Sequence, residues 1–206
     1  RRQRQMCIRD RIMRALNDVI EKGWVRYIGA SSMAAWEFQQ LQHVAEKNGW
    51  HKFISMQNFY NLLYREEERE MIPYCKATGV GIVPWSPIAR GVLSRPWDAR
   101  STKREGTDAV LHRLIRSRET EADKAIVNRV EEIAKKKGTS MAQVAIAWCL
   151  SKGANPIVGL SKMDRIDEAV AALQVSLTQD EIEFLEQPYM PCLLYTSPSP
   201  RDKRQS

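Results

Sequence analysis

Residues 79–91 read GVGIVPWSPIARG, and this stretch decides the fold. Its apolar part, 81–85, predicts a short buried strand that ends at a polar turn. Similar apolar runs occur at 25–30 (VRYIGA), 53–57 (FISMQ) and 156–158 (PIV). Four short and nearly continuous apolar strands are typical of a parallel sheet that is covered by helices.

Helical patterns fill the sequence between these strands. Apolar residues recur at helical spacing in seven segments: 12–22, 36–48, 66–77, 122–137, 141–151, 165–173 and 180–186. Thr178 precedes two acidic residues, which predicts an N-cap for the last helix. The polar segment 86–119 shows little periodicity, and we expect a long binding loop or lid there. The predicted fold class is α/β, with about four β/α units, half of a (β/α)8 TIM barrel and therefore incomplete.

The composition excludes several classes of protein. The chain has 206 residues, of which 43% are hydrophobic and 28% charged. No run approaches the roughly 20 apolar residues of a membrane-spanning helix. No secretory leader is visible, and the four cysteines are too scattered for a disulfide framework or a CxxC metal site. We expect a cytoplasmic protein that binds no metal and no membrane.

The positive charge lies at the two ends of the chain. The formal net charge is +7, but residues 1–11 contribute +4 and residues 192–206 contribute +2. The sequence between them holds 24 basic and 23 acidic residues, a net charge of +1. Binding of nucleic acid would therefore depend on the ends and disappear when they are removed. We expect no nucleic-acid partner.

Both ends also resemble translated laboratory DNA. The peptides RRQRQMCIRD (1–10) and CLLYTSPSPRD (192–202) can be back-translated so that they carry inverted copies of one element. Both resemble the arms of a transposase-based sequencing-library adapter. The sequence thus predicts adapter-like tails at 1–11 and 192–206 around a natural body at 12–191. The alternative is a disordered basic arm and a Ser/Pro-rich tail.

Four motifs follow one another along the body: GWVRYIGASS (23–32), SMQNFYNLLYRE (55–66), GVGIVPWSPIARG (79–91) and PIVGLSKMDRIDEAVAAL (156–173). Together they resemble the C-terminal half of an aldo-keto reductase, nearest to its aryl-alcohol-dehydrogenase-like branch. Any one motif alone would be a weak signal. The resemblance implies a (β/α)8 barrel that binds NADPH across the carboxyl ends of its strands. The glycine-rich GxGxxG motif of the other common dinucleotide fold is absent from the sequence.

The resemblance assigns the nicotinamide end of the cofactor to three strands. Ser31, Ser32 and Gln57 offer hydroxyl and amide groups that would fix the carboxamide. Trp85 would stack on the nicotinamide ring. The alternatives are a serine pair that merely ends a strand and a tryptophan that plugs the mouth of the barrel.

The phosphates and the adenine are assigned to two loops. Within WSPIARG, the residues Ser86, Ile88 and Arg90 resemble the family's pyrophosphate-lining loop. The second loop opens a helix, where free N–H groups and the helix dipole favour an anion. Its two cations, one turn apart, suit the 2′-phosphate of NADPH, and its glutamate resembles the family's adenine contact; the residues are Gly159, Ser161, Lys162, Arg165 and Glu168. The alternative is a solvated basic turn.

The family's proton donor is missing from this sequence. Carbonyl reduction by hydride needs an acid near the carbonyl oxygen, and the family supplies a Tyr assisted by Lys, Asp and usually His from its first four strands. We interpret all three histidines, His43, His51 and His112, as surface residues, Tyr64 as a packing residue, and Cys75 and Cys149 as core or helix-face thiols.

The sequence therefore predicts a fragment of an NADPH-dependent aldo-keto reductase. The family transfers a hydride between NADP(H) and a small aldehyde, ketone or alcohol, and the fragment alone is expected to be inactive. A second hypothesis is a non-catalytic NADPH-binding or interaction module of the same fold. The oligomeric state and the natural substrate do not follow from the sequence.

Overall fold

The computed structural model describes residues 2–99, 106–160 and 162–191, without the side chains of 2–7 and 118. Within them, three strands form one parallel sheet in the order β1 (Gly29–Ser31), β2 (Ser55–Gln57) and β3 (Gly81–Ile82). Ala30, Met56 and Ile82 lie side by side in register. The parallel β/α arrangement predicted from the sequence is confirmed, with shorter strands than expected.

The prediction of a fourth strand at 156–158 is wrong. The segment nevertheless runs beside β3. The N–H of Asn155 donates to the carbonyl of Ile82 and that of Ile157 to Pro84, both at 2.8 Å. In the described part of the chain, one bridge, from Trp85 to Ile157, is formed between the two segments. Residues 155 and 157 donate to the β3 segment, whereas Pro84 has no N–H to donate in return, so the ladder is interrupted at Pro84.

The α-helices whose bounds lie within the described residues are α1 (Arg2–Glu21), α2 (Ala35–Asn48), α3 (Met71–Thr78), α4 (Ala109–Leu114), α5 (Glu121–Lys137), α6 (Met141–Ser151), α7 (Asp164–Ala171) and α8 (Gln179–Glu186). Residues 106 and 107 are also helical. Short 3-10 turns cover Glu66–Glu68, Ala89–Ser94, Arg116–Arg118 and Ala172–Gln174. All seven predicted helices are found. The first begins at Arg2 rather than at residue 12, and the third is preceded by a separate 3-10 turn.

The expectation of an unstructured loop over 86–119 is wrong. The segment contains α4 and two of the 3-10 turns. Asp108 is the N-cap of helix α4, and its carboxylate accepts hydrogen bonds from the N–H groups of Val110 and Leu111 at 3.0 Å. An N-cap aspartate before a short apolar run stabilises even six residues of helix.

Side-chain caps fix the starts of three longer helices. Thr120, Ser140 and Thr178 each form a reciprocal capping box with the residue three positions later, at α5, α6 and α8. The N-cap predicted at Thr178 is confirmed. At the carboxyl end of α3, Gly79 has φ 72°, a left-handed conformation that residues with a side chain rarely adopt.

One face of the sheet is covered and the other is not. Ala30, Met56 and Ile82 are buried and belong to the core beneath the helices. The alternate positions Ser31 and Gln57 are exposed and half-buried, respectively. Large apolar side chains are also exposed beside both margins of the sheet: Trp24 and Tyr27 before β1, and Ile157, Leu160, Met163, Ile166, Val170 and Leu173 along the segment into and beyond α7.

Arg65 joins the loop after β2 to the last helix. Its guanidinium lies 2.7 Å from a carboxylate oxygen of Glu68 and 2.8 Å from one of Glu186 in α8. Its backbone N–H donates to the hydroxyl of Tyr189. The loop that follows β2 is therefore held at Arg65 by contacts with Glu186 and Tyr189.

No helix in the described part of the chain is long and apolar enough to cross a membrane.

Candidate functional site

The polar ends of neighbouring strands lie at one edge of the sheet. Ser31 is in register with Gln57, and beyond the strands a bridge joins Phe59 to Trp85, which in turn bridges to Ile157. Parallel strands present their carboxyl ends on the same side, which is where α/β proteins bind ligands. The structure thus brings three predicted site residues, Ser31, Gln57 and Trp85, to one edge.

The two serines are held against the end of β2. The hydroxyl of Ser31 donates to the backbone carbonyl of Gln57 at 2.8 Å, and the N–H of Ser32 donates to the same oxygen at 3.2 Å. Ser32 has φ 43°, in the left-handed region. Both side chains are exposed, so their oxygens can still accept hydrogen bonds from a ligand.

Gln57 presents a side-chain amide on the uncovered face of the sheet. Its side chain is half-buried. A primary amide offers both a donor and an acceptor. It can therefore pair with a carboxamide, whose donor and acceptor are complementary.

Trp85 is fixed by its neighbour strand. Its backbone N–H donates to the carbonyl of Asn58 at 2.8 Å, and its ring lies 4.5 Å from that of Phe59, tilted by 34°. Trp85 is half-buried. An aromatic ring supported on one side and partly open on another can stack on a planar ligand.

The loop after Trp85 adopts an uncommon backbone conformation. Ser86, Ala89 and Arg90 have φ of 56°, 47° and 57°, although none is glycine. Such conformations cost of order 1–3 kcal/mol each and cluster at functional sites. Three of them within five residues indicate that packing holds this loop in a specific shape.

Arg90 is ion-paired within the loop. Its guanidinium contacts the carboxylate of Asp108 at 2.7 and 2.8 Å. Burial would raise the pKa of Asp108, but hydrogen bonds from the Leu111 N–H and from Arg90 outweigh it and lower the pKa. A phosphate bound at Arg90 would share this guanidinium with Asp108.

A pocket of about 180 Å³ lies between this loop and the start of α7. Four predicted cofactor residues line it: Ile88, Gly159, Arg165 and Glu168. The wall also includes Gly91, Ser94 and Arg95, together with Ala142 and Ile146 of α6. The side-chain amide of Gln143 donates to the carbonyl of Glu168 at 3.1 Å, which ties α7 to α6 beside the pocket.

Arg95 is a site residue that the sequence reasoning missed. It adds a second guanidinium to the lining beside Arg165. The available signal was a further basic residue close after WSPIARG, but the position of the chain reversal at Gly91, with φ 102°, was not apparent from the sequence.

The structure does not place two of the residues predicted to bind phosphate in this pocket. Lys162 is exposed just before α7, and its carbonyl accepts a hydrogen bond from the N–H of Arg165. Lys162 is outside the pocket lining. Ser161 lies outside the described residues.

The described residues supply no evident proton donor at this edge. Burial and a hydrogen bond to Glu68, 2.6 Å long, raise the pKa of the Tyr60 phenol. Tyr64 packs on Phe59 with ring centroids 5.0 Å apart, which confirms its packing role. The three histidines are exposed, as predicted: His43, His51 and His112.

The described residues do not favour thiol chemistry or metal binding. Cys75 and Cys149 are buried, as predicted, and burial raises the pKa of their thiols to about 11 and about 12. Thiols in this state are poor nucleophiles at neutral pH. Within the described ranges, no three His, Cys, Asp or Glu side chains come together to hold a metal ion.

Parallel β/α units with a polar site at the carboxyl ends of the strands define an α/β protein that binds its ligand at that edge. Residues 8–189 match the aldo/keto reductase family, and the chain belongs to that family. The family indicated by the four motifs is therefore confirmed.

Individual relatives agree with this assignment. The chain is 68% identical to versiconal hemiacetal acetate reductase of Aspergillus parasiticus over 184 residues, which cover 89% of the chain and 54% of that protein. It is 58% identical, over 88% of its length and 51% of the relative, to a protein of Schizosaccharomyces pombe named as an aryl-alcohol dehydrogenase. The chain thus spans about half the length of these curated relatives.

A solved structure supports the fold. The structure of a thermostable aldo-keto reductase with the inhibitor epalrestat superimposes with a TM-score of 0.65 at 22% sequence identity. The match covers 87% of this chain and 54% of that one.

Proposed function

We propose that this chain is part of an NADPH-dependent aldo-keto reductase, which transfers a hydride between NADP(H) and a small aldehyde, ketone or alcohol. The observation that carries the proposal is the pocket between the Ser86–Arg95 loop and α7. It joins two sequence-distant loops and places Arg95, Arg165 and Glu168 in one lining. Two guanidinium groups in one concave site suit phosphate groups.

The residues divide the cofactor among them. Ser31, Ser32 and Gln57 would hold the carboxamide, and Trp85 would stack on the nicotinamide. Ser86, Ile88 and Arg90 would bind the pyrophosphate. The 2′-phosphate and adenine would be held by the turn into α7: Gly159, Ser161, Lys162, Arg165 and Glu168. When bound, the cofactor supplies the hydride, and the protein residues orient it.

Titration with NADPH and NADH tests this assignment. We expect NADPH to bind, detected by energy transfer from tryptophan to the nicotinamide. Arg165→Ala should weaken NADPH about tenfold to a hundredfold, since a hydrogen bond to a charged group contributes about 1.5–3 kcal/mol. NADH affinity should change little.

Arg26→Ala is the matched control. Arg26 is also exposed, but it precedes β1 and so lies toward the amino end of the sheet. The control should bind NADPH as the unchanged chain does. A folded chain that binds neither nucleotide would overturn the proposal.

We infer that the 206-residue chain reduces no aldehyde by itself. It spans about half of its relatives, one face of its sheet is uncovered, and Tyr60 is buried against Glu68. Hydride transfer to a carbonyl requires a proton donor beside the oxygen. Measurable oxidation of NADPH by the purified chain with 4-nitrobenzaldehyde would contradict this inference.

We also propose that residues 12–191 are the natural part, with adapter-derived tails at 1–11 and 192–206. Sequencing the source transcript beyond both limits decides this. An in-frame extension with Asp, Tyr, Lys and His on four further β/α units supports a reductase fragment. A transcript that itself begins with RRQRQMCIRD would exclude the adapter origin and favour a non-catalytic NADPH-binding module.

A further inference from the structure

Asn61 is a buried amide in the loop that follows β2. Its side chain is fully buried, and its backbone pairs with Tyr64 through two hydrogen bonds of 3.0 and 3.2 Å. Burying a primary amide is unfavourable unless its donors and acceptor are used. Oδ1 of Asn61 accepts from the N–H of Leu63 at 3.0 Å.

The other end of the same amide reaches the next strand. Nδ2 of Asn61 donates to the backbone carbonyl of Ser86 at 3.1 Å, across 25 residues of sequence. Ser86 has φ 56° and lies between Trp85 and Pro87. The amide therefore bonds to a residue whose backbone conformation is unfavourable by itself.

The loop 58–61 holds the Trp85–Ser86 turn at three points. The carbonyl of Asn58 accepts the N–H of Trp85, the ring of Phe59 packs on its indole, and Asn61 bonds to Ser86. The first two contacts fix Trp85. The third fixes the direction in which the chain leaves it.

We propose that Asn61 is a positioning residue, which sets the Trp85–Ser86 turn for the cofactor through its hydrogen bond to Ser86. The role in cofactor binding rests on the proposed function, because Asn61 acts through Ser86, a residue assigned to the cofactor. The contact itself can be tested without a cofactor.

Asn61→Asp removes the N–H donor and keeps the shape and the acceptor for Leu63. Burial should raise the pKa of the introduced carboxyl. Protonated, it can donate its O–H to the Ser86 carbonyl; ionised, it repels that oxygen. The indole N–H signal of Trp85 in NMR spectra, assigned by its loss in Trp85→Phe, reports the turn.

We expect the Trp85 signal of Asn61→Asp to be displaced at high pH and to return to its wild-type position at low pH. At each pH, the signals of Trp50 and Trp148 should match those of the wild type, in which the Trp148 indole N–H donates to the Glu186 carboxylate. Wild-type spectra over the same pH range account for the titration of nearby native groups, among them Glu66, Glu67 and Glu68. A role in packing alone would give no such pH-dependent recovery.

Asn48→Asp is the matched control. Asn48 also donates from Nδ2 to a backbone carbonyl, that of Val44 at 2.8 Å, but on the exposed end of α2. This variant should leave the Trp85 signal unchanged. Asn61→Ala, a second test variant, should displace the signal at every pH.

The proposal is overturned if folded Asn61→Asp and Asn61→Ala both leave the Trp85 signal in place. It is also overturned if both unfold the whole chain, because Asn61 would then support folding in general. Where NADPH binds, Asn61→Asp should weaken it about tenfold at high pH. Absence of NADPH binding by the wild type would overturn the proposed function, while the Trp85 signal would still decide the role of Asn61.

Discussion

At the scale of single residues, Trp85 is the aromatic side chain to which we assign the nicotinamide. Its ring is supported by Phe59 and is half-buried at the carboxyl edge of the sheet. We predict that Trp85→Ala weakens NADPH binding about tenfold, because aromatic stacking contributes of order 1–3 kcal/mol. Fluorescence titration with NADPH measures this.

A second tryptophan provides the comparison. Trp36 is 53% exposed on α2, so it is accessible without belonging to the site. Trp36→Ala should leave the dissociation constant unchanged. Equal losses in the two variants would assign the effect to general destabilisation.

Glu181 illustrates how one charge links two helices. It belongs to the capping box of α8, and its carboxylate lies 2.8 Å from the ammonium of Lys137 at the end of α5. Burial would raise the pKa of Glu181, but the hydrogen bonds from Lys137 and from the Thr178 N–H, together with the charges of Lys137 and Lys136, outweigh it and lower the pKa. A lowered pKa in the folded state stabilises the fold above the ordinary pKa, and this stability is lost as the pH falls through the folded value.

We predict that Glu181→Gln lowers the free energy of unfolding by about 1 kcal/mol at pH 7. The amide retains the cap and removes the charge, so the difference from wild type should shrink in acid. Urea unfolding between pH 3 and pH 7 measures it. Glu183→Gln, an exposed change on the same helix, should have little effect at any pH.

At the scale of secondary structure, helix α4 depends on its cap. Six residues are too few for a stable isolated helix, and Asp108 supplies both the N-cap and the ion pair with Arg90. We predict that Asp108→Ala destabilises α4 by about 1 kcal/mol. Amide hydrogen exchange should accelerate over 109–114 while α5 and α6 keep their protection.

Asp108→Asn separates the two roles of this side chain. Asparagine caps a helix nearly as well as aspartate, but it cannot form the ion pair. Protection of α4 should therefore be largely retained in this variant. If Asn exposes α4 as much as Ala does, the ion pair rather than the cap stabilises the helix.

The helices were predictable from the sequence because their signals are local. Apolar spacing and the Thr178 cap identify α8, and Gly79 marks the end of α3. The limits of the strands were harder to predict, since they depend on pairing with other segments and on the missing N–H of Pro84. Helix α4 was missed because a single N-cap and six residues give little periodicity.

The candidate site likewise contains residues that could be predicted from the sequence and residues that could not. The position of Gln57 and Trp85 at one edge of the sheet could be predicted, because parallel strands place their ends together. Arg95 and Asn61 could not, because their roles depend on the chain reversal at Gly91 and on a contact across 25 residues. No local pattern in the sequence encodes either feature.

At the scale of the whole molecule, the uncovered face of the sheet determines how the chain behaves in solution. Trp24 and Tyr27 are 72% and 70% exposed on one margin, and Val170 and Leu173 are 58% and 63% exposed on the other. Exposed apolar patches and open sheet edges both favour association. We predict that the purified chain forms dimers or larger species whose mass rises with concentration.

Size-exclusion chromatography with light scattering measures this association. Tyr27→Lys combined with Leu173→Lys should shift the chain toward monomer, because charges on both margins oppose contact between copies. Thr78→Lys combined with Met190→Lys adds the same charge at other exposed positions and should change the mass distribution less. If the wild-type chain stays monomeric and folded at the highest concentration, the uncovered face is stable in water. There would then be no physical reason to expect further β/α units that cover it.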